Sequence, residues 1–145
     1  MTRMSNITLD QARAIIAGAF EFARGRDLKP LCVAVLDSGG HLIAFERQDG
    51  VANRRFEIAF GKAHGAISIG VNSRTLGEMA TERPHFIAGV TSSIGGQLVP
   101  VAGGLVVLDE LGARSGAVGI SGDTSDNDEA AAFAGIEAAH LEPLR

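Results

Sequence analysis

Residues 31–47, LCVAVLDSGGHLIAFER, decide the fold of this chain. Residues 31–36 form an unbroken apolar run of strand length, and apolar residues resume at Leu42 after the turn signal Asp37-Ser38-Gly39-Gly40. Two strands joined by so short a turn pair in antiparallel order. The stretch therefore predicts a β-hairpin, which an all-parallel sheet cannot contain.

Helical patterns lie on both sides of this hairpin. Thr8-Leu9-Asp10-Gln11 has the spacing of a capping box, and Ile7 is placed to act as a hydrophobic staple. Apolar residues then recur at helical spacing until Gly25, where we expect the first helix to stop. Further helices are predicted over about residues 53–69, from Asn72 or Ser73 through Ala80, and from Ser125 or Asp126 to about His140.

The remaining segments supply the other strands. After Pro84 the pattern is mixed, with a turn at Gly95-Gly96 and the start of a strand over residues 98–101. Residues 105–108 and 113–120 predict a second hairpin, and glycines in its last strand indicate that another element packs closely there. The order α–ββ–αα–βββ–α predicts an α+β fold, a single antiparallel sheet of about five strands with helices packed on it (PAS/profilin-like).

Composition narrows the class of protein. A length of 145 residues suits one domain, spanning residues 1–145. The net charge is −4 with scattered basic residues, so we expect no nucleic-acid partner, and no apolar run suits a membrane. The N-terminus lacks a signal-peptide pattern, and the lone Cys32 in an apolar run predicts a buried, inert thiol in a reducing compartment. We therefore expect a cytoplasmic protein.

Seven short blocks occur in a fixed order over about residues 7–139. The blocks are residues 9–13 (LDQAR), 35–42 (VLDSGGHL), 45–50 (FERQDG), 58–63 (IAFGKA), 99–105 (VPVAGGL), 116–122 (GAVGISG) and 127–129 (NDE). Together they resemble the GlcG/HbpS family, which includes haem-binding HbpS proteins, GlcG of glycolate-utilisation clusters and the C-terminal domain of PduO-type adenosyltransferases. The resemblance implies the same α+β fold, a homo-oligomer that is commonly an octamer, and haem as a ligand of some members.

One face of the second predicted helix carries candidate site residues. At 100° per residue, Arg54, Glu57, Gly61, His64 and Ser68 fall on one side, opposite an apolar stripe. Glu57 could serve as a base or anchor, Arg54 as a carboxylate clamp, and His64 as an acid, base or metal ligand. Gly61 would leave room in the middle of the face. The alternative is an ordinary solvated or intersubunit surface.

Two further residues are candidates for binding. Lys62 lies at the edge of this face and could bind a carboxylate or a haem propionate, or it could be a surface lysine. His85, beside Phe86 in the segment after Pro84, is with His64 a candidate axial ligand of haem, or an exposed loop residue. The acidic run over residues 123–129 lacks the glycine and the final glutamate of a calcium loop, so capping of the last helix is the better interpretation.

Three hypotheses about function follow. The first is a module that binds haem or another tetrapyrrole without covalent attachment, since no Cys-x-x-Cys-His occurs. The second is a cofactor-free tautomerase, isomerase, deaminase or hydratase that acts on a small organic acid in catabolism, with Glu57, Lys62 and His64 as catalytic residues. The third is a structural or regulatory oligomer without a ligand.

Overall fold

The computed structural model describes residues 5–145, in which helices cover both faces of one sheet. The helices are α1 (Leu9–Gly25), α2 (Arg55–Ile69), α3 (Ser73–Glu82), α4 (Pro84–Ser93) and α5 (Ser125–Ala138). The strands are β1 (Cys32–Asp37), β2 (Leu42–Arg47), β3 (Gly104–Leu108), β4 (Arg114–Ser121) and β5 (Glu142–Pro143). None of the helices in this part of the chain is long and apolar enough to cross a membrane.

The sheet has the strand order β2-β1-β4-β3-β5, and every neighbouring pair is antiparallel. The hairpin predicted from residues 31–47 forms β1 and β2, with Ala34 opposite Phe45. The predicted α+β fold, one antiparallel sheet of five strands with helices packed on it, is confirmed.

Alternating side chains of the buried strand β1 divide the core between two faces. Val33 and Val35 contact one cluster of buried side chains, which α1 and α5 complete. Cys32, Ala34 and Leu36 point to the other face, where α2 covers the sheet. A strand buried on both faces reads as a continuous apolar run, which explains the pattern of residues 31–36.

The start of α1 agrees with the sequence prediction. The Gln11 backbone N–H donates to the Thr8 hydroxyl at 3.1 Å, and the Thr8 N–H donates to the Gln11 side-chain oxygen at 2.9 Å. This is the predicted capping box, which satisfies two N–H groups that a helix leaves unpaired at its start. Ile7, just before it, is buried in the core beneath α1.

Two segments differ from the prediction in detail. The stretch after Pro84 forms a helix, α4, because proline at the first helical position needs no hydrogen bond and has a suitable φ. Residues 98–101 do not join the sheet. Leu98 packs instead against Leu76 and Ile87, so the apolar pattern there reflects contact with α3 and α4. The fifth strand is β5, near the C-terminus, which pairs with β3.

Helix α2 lies unusually close to the sheet because glycines face it. A Cβ at Gly119 would overlap the carbonyl oxygen of Ala59, and one at Gly104 would overlap that of Lys62. Their partners on α2 lie three residues apart, so both contacts fall on the same side of the helix. The close packing predicted from the glycines of the last hairpin strand is confirmed for Gly119.

Cys32 is fully buried in β1, where its thiol contacts the Ser121 carbonyl oxygen at 3.5 Å. Burial, the largest effect, raises the pKa of this thiol to about 11, so almost none of it is thiolate at neutral pH. Because the thiolate is the reactive form, we expect the side chain to be unreactive in the folded protein.

We predict that Gly119→Ala lowers the free energy of unfolding by about 1–3 kcal/mol, since the added methyl group must push α2 off the sheet. Gly89→Ala is the control, because a Cβ on that helical glycine meets nothing within 4 Å. It should stabilise the protein by about 0.5–1 kcal/mol. Urea unfolding of both variants measures the difference, and equal effects would contradict the close contact.

We also predict that Cys32 does not react with a thiol reagent at pH 8 in the folded protein. The same reagent should label it fully in denaturant, where burial no longer raises the pKa. Release of the chromophore from Ellman's reagent measures both rates. Rapid labelling without denaturant would show that β1 opens or that the thiol is exposed.

Candidate functional site

A groove of about 440 Å³ lies between α2 and the loop that follows α4. We call it the α2 groove. It is lined by Phe56, Glu57, Phe60 and Gly61 of α2 and by Gly95, Gly96, Gln97, Leu98 and Val99 of the loop. Thus two members of the predicted face, Glu57 and Gly61, line this groove.

The loop is fastened to the middle of α2 at Gly61. The Val99 N–H donates to the Gly61 carbonyl oxygen at 3.1 Å, and a Cβ at Gly61 would lie 2.6 Å from the Val99 Cγ2 atom. The space that Gly61 leaves free is therefore occupied by Val99. The glycine brings the loop against the helix and so forms one wall of the groove.

Glu57 and Arg54 form an ion pair beside the groove. The Arg54 Nη1 atom donates to Glu57 Oε1 at 3.1 Å, but the two side chains are 87% and 50% exposed. A pair this exposed contributes little to stability, because water and salt screen it. The arginine can therefore exchange its partner for another carboxylate at low cost.

His64 lies beside the groove, one helical turn beyond Phe60, and is not among the residues that line it. The two rings stack with centroids 5.5 Å apart and planes 14° apart. The Nδ1 atom lies 2.8 Å from the Gln97 carbonyl oxygen. Because a carbonyl oxygen only accepts, Nδ1 must carry the proton and donate it. In the neutral ring the lone pair is then on Nε2, which makes no hydrogen bond within residues 5–145.

Lys62 is not at the groove. Its side chain is 2% exposed and extends into the core, where Nζ donates to the Ile120 carbonyl oxygen at 2.9 Å and to Asp128 Oδ2 at 3.1 Å. The other Asp128 oxygen accepts the Asp123 N–H at 3.0 Å. Burial is the main effect on both groups: it lowers the pKa of Lys62 and raises the pKa of Asp128.

Ser68 and His85 are exposed and do not line the groove. Ser68 lies one turn beyond His64 near the end of α2, and His85 is the second residue of α4. Of the predicted residues, Glu57 and Gly61 therefore line the groove, whereas Arg54 and His64 lie beside it. Arg54 contacts Glu57, and His64 contacts Phe60 and Gln97. Phe56 and Phe60, which the sequence pattern placed on the apolar stripe of this helix and not at the site, complete the groove together with Gln97.

A second groove, of about 740 Å³, lies beside the turn between β3 and β4 and the end of α5. None of the candidate residues lines it. Its acidic groups are partly engaged: Asp109 accepts the N–H groups of Leu111 and Ala113, and Glu137 pairs with Arg145. The α2 groove is therefore the candidate site.

We predict that Lys62→Met or Asp128→Leu alone lowers the free energy of unfolding by about 3–5 kcal/mol, because each leaves one charge buried without its partner. The double variant should lose clearly less than the sum, since both charges are then removed. Urea unfolding gives the interaction energy. Additive losses would mean that the two side chains do not stabilise each other.

Solved structures share this fold. A double mutant of HbpS from Streptomyces reticuli is 28% identical, with a TM-score of 0.81 over 98% of this chain and 91% of that chain. A PduOC–haem complex is 22% identical, with a TM-score of 0.84 over 97% of this chain and 99% of that chain. Klebsiella pneumoniae protein ORFY is 23% identical, with a TM-score of 0.86 over 97% and 94% of the two chains.

No curated protein sequence matches this chain. A family described as haem degrading protein HbpS-like matches residues 7–137, which is most of the chain and includes the whole of the α2 groove. The expected resemblance is confirmed, and the chain belongs to the HbpS-like family.

Proposed function

We propose that this chain binds haem without a covalent bond in the α2 groove, with Nε2 of His64 as an axial ligand. The observation that carries the proposal is the fixed His64 ring, whose Nδ1 donates to the Gln97 carbonyl oxygen and whose Nε2 makes no hydrogen bond to the described residues. Membership of the HbpS-like family and the similarity to a PduOC–haem complex favour haem over other ligands.

The groove suits a flat, largely apolar ligand. Phe56, Phe60, Leu98 and Val99 supply apolar surface from both walls, and the volume of about 440 Å³ is within the range of small-molecule sites. The porphyrin ring is planar and apolar, so it would gain free energy by leaving water for these walls. When bound, haem would supply an iron centre whose axial position a histidine can fill.

The surroundings of His64 match those of metal-binding histidines in proteins. Such a histidine usually donates its other ring N–H to a backbone carbonyl or a carboxylate, which fixes the ring and makes the ligating nitrogen more basic. The Gln97 carbonyl oxygen serves this purpose at 2.8 Å, and the stacked Phe60 ring limits rotation. His85 has no such partner among the described residues and is exposed.

Arg54 is a cation available for a propionate group. Lys62, the other candidate, is buried against Asp128 and cannot reach the groove surface. Arg54 is exposed, and among the described residues it pairs with Glu57 alone, so a propionate can take the place of that glutamate. The enzyme hypothesis for an organic acid needs Lys62 beside Glu57 and His64, and the buried lysine gives it no support.

The assembly stays a prediction. Family membership favours the homo-oligomer, commonly an octamer, that the sequence resemblance implies. Large apolar side chains that remain exposed in the single chain, such as Phe86 and Val101, are available to such an interface. Light scattering of the purified protein measures the number of subunits.

We predict that the purified chain binds haemin with a Soret band typical of histidine ligation, and that His64→Ala weakens binding by more than about tenfold and abolishes that band. His85→Ala is the matched control, because it removes an exposed histidine outside the groove and should leave both unchanged. Absorbance titration measures the dissociation constants, and competition with apomyoglobin removes haemin held nonspecifically.

Unchanged binding and an unchanged band in His64→Ala would overturn the assignment of His64. Loss of binding in His85→Ala but not in His64→Ala would move the site to α4. No saturable binding by the native protein would contradict haem as the ligand.

A further inference from the structure

Two turns of this protein have the same construction. Residues 37–41 join β1 to β2, and residues 109–113 join β3 to β4. In each turn the first residue is an aspartate whose Oδ1 atom accepts the N–H groups two and four residues later, at 2.9 Å in every case. The fourth residue is a glycine with positive φ, +84° at Gly40 and +79° at Gly112.

The two glycines differ in what lies beside them. A Cβ at Gly112 would meet nothing within 4 Å. A Cβ at Gly40 would lie 3.1 Å from the Cδ2 atom of His64 and 3.5 Å from its Nε2 atom. A side chain added at either glycine would therefore be strained by the positive φ, whereas only one added at Gly40 would also contact the imidazole.

Gly40 completes the surroundings of the His64 ring. Phe60 stacks on one face, the Gln97 carbonyl oxygen holds Nδ1, and Gly40 lies against the opposite edge, which carries Cδ2 and Nε2. A carbon atom at 3.1 Å is closer than the 3.5–4.0 Å at which carbon atoms attract most strongly, so a Cβ would push the ring away. The ring could yield only by loosening its contacts with Gln97 or Phe60.

We propose that Gly40 is a positioning residue of the haem site, whose missing side chain lets the turn between β1 and β2 approach the Cδ2–Nε2 edge of His64 without displacing the ring. This inference rests on the proposed function, since it assumes that Nε2 is the ligating atom. A Cβ at this position would press on the imidazole beside Nε2, and the next atom that it would meet is Cγ2 of Ile67, at 3.8 Å.

The test compares Gly40→Ala with Gly112→Ala in haemin titrations of the whole chain. Both substitutions introduce the same strain in equivalent turns, so both should lower the melting temperature. Gly112→Ala should bind haemin within about twofold of the native protein, because it is remote from His64. Gly40→Ala should weaken binding by about tenfold or more and shift the Soret band away from the native position.

Equal dissociation constants and spectra for the two variants would overturn the inference. His64→Ala separates this failure from that of the proposed function. If His64→Ala loses the band and Gly40→Ala keeps it, only the role of Gly40 is wrong. If His64→Ala keeps the band, the assignment of the ligand itself is wrong.

A second pair of variants keeps the test possible if Gly40→Ala does not fold. Asparagine tolerates positive φ better than alanine and carries the same Cβ, so Gly40→Asn and Gly112→Asn repeat the comparison with less strain. The rate at which diethyl pyrocarbonate modifies His64, followed by mass spectrometry without haemin, gives an independent measurement. The modification rate of His64 should differ from that of the native protein in Gly40→Asn and not in Gly112→Asn. Equal modification rates in the two variants would overturn the inference.

Discussion

The close contact between α2 and the sheet determines how every candidate residue is presented. Because Gly104 and Gly119 carry no side chain, the backbone of α2 lies directly on β3 and β4. That contact fixes the rotation of the helix about its own axis. The side that bears Ala59, Lys62 and Ala63 must then face the sheet, and Glu57 and His64 must face the loop after α4.

The same contact explains why a lysine can be buried. Small residues surround Lys62 on α2, and Gly103 leaves room for its ammonium group beside the core. A charge in that position would be very costly alone, but Asp128 and the Ile120 carbonyl oxygen surround it with acceptors. The ion pair ties α2 to the start of α5 across the end of β4. Its effect is to fix the packing of two helices on opposite faces of the sheet.

Local signals predicted the elements well, whereas long-range contacts could not be predicted. The capping box of Thr8 and the hairpin of residues 31–47 depend on neighbours in sequence, so the pattern contains all the information needed. Lys62 looked like a residue at the edge of an exposed face because its partner, Asp128, is 66 residues away. The apolar run of residues 98–101 resembled a strand, but Leu98 packs against α3 and α4, and Val99 lies against α2. In both cases the tertiary contact decided the outcome.

The two equivalent turns also show that a contact between distant residues cannot be predicted from the local sequence. The sequence predicts a turn at Asp37-Ser38-Gly39-Gly40 and another at residues 109–112, and nothing local distinguishes Gly40 from Gly112. Only the fold brings His64 beside Gly40, across 24 positions of the chain, while Gly112 borders open space. Gly40 has a positive φ and lies against the His64 ring, whereas Gly112 has only the positive φ. In the sequence the two glycines look the same. The effect of the contact with His64 is measured by comparing substitutions at Gly40 and Gly112, because the backbone strain that both substitutions cause then cancels.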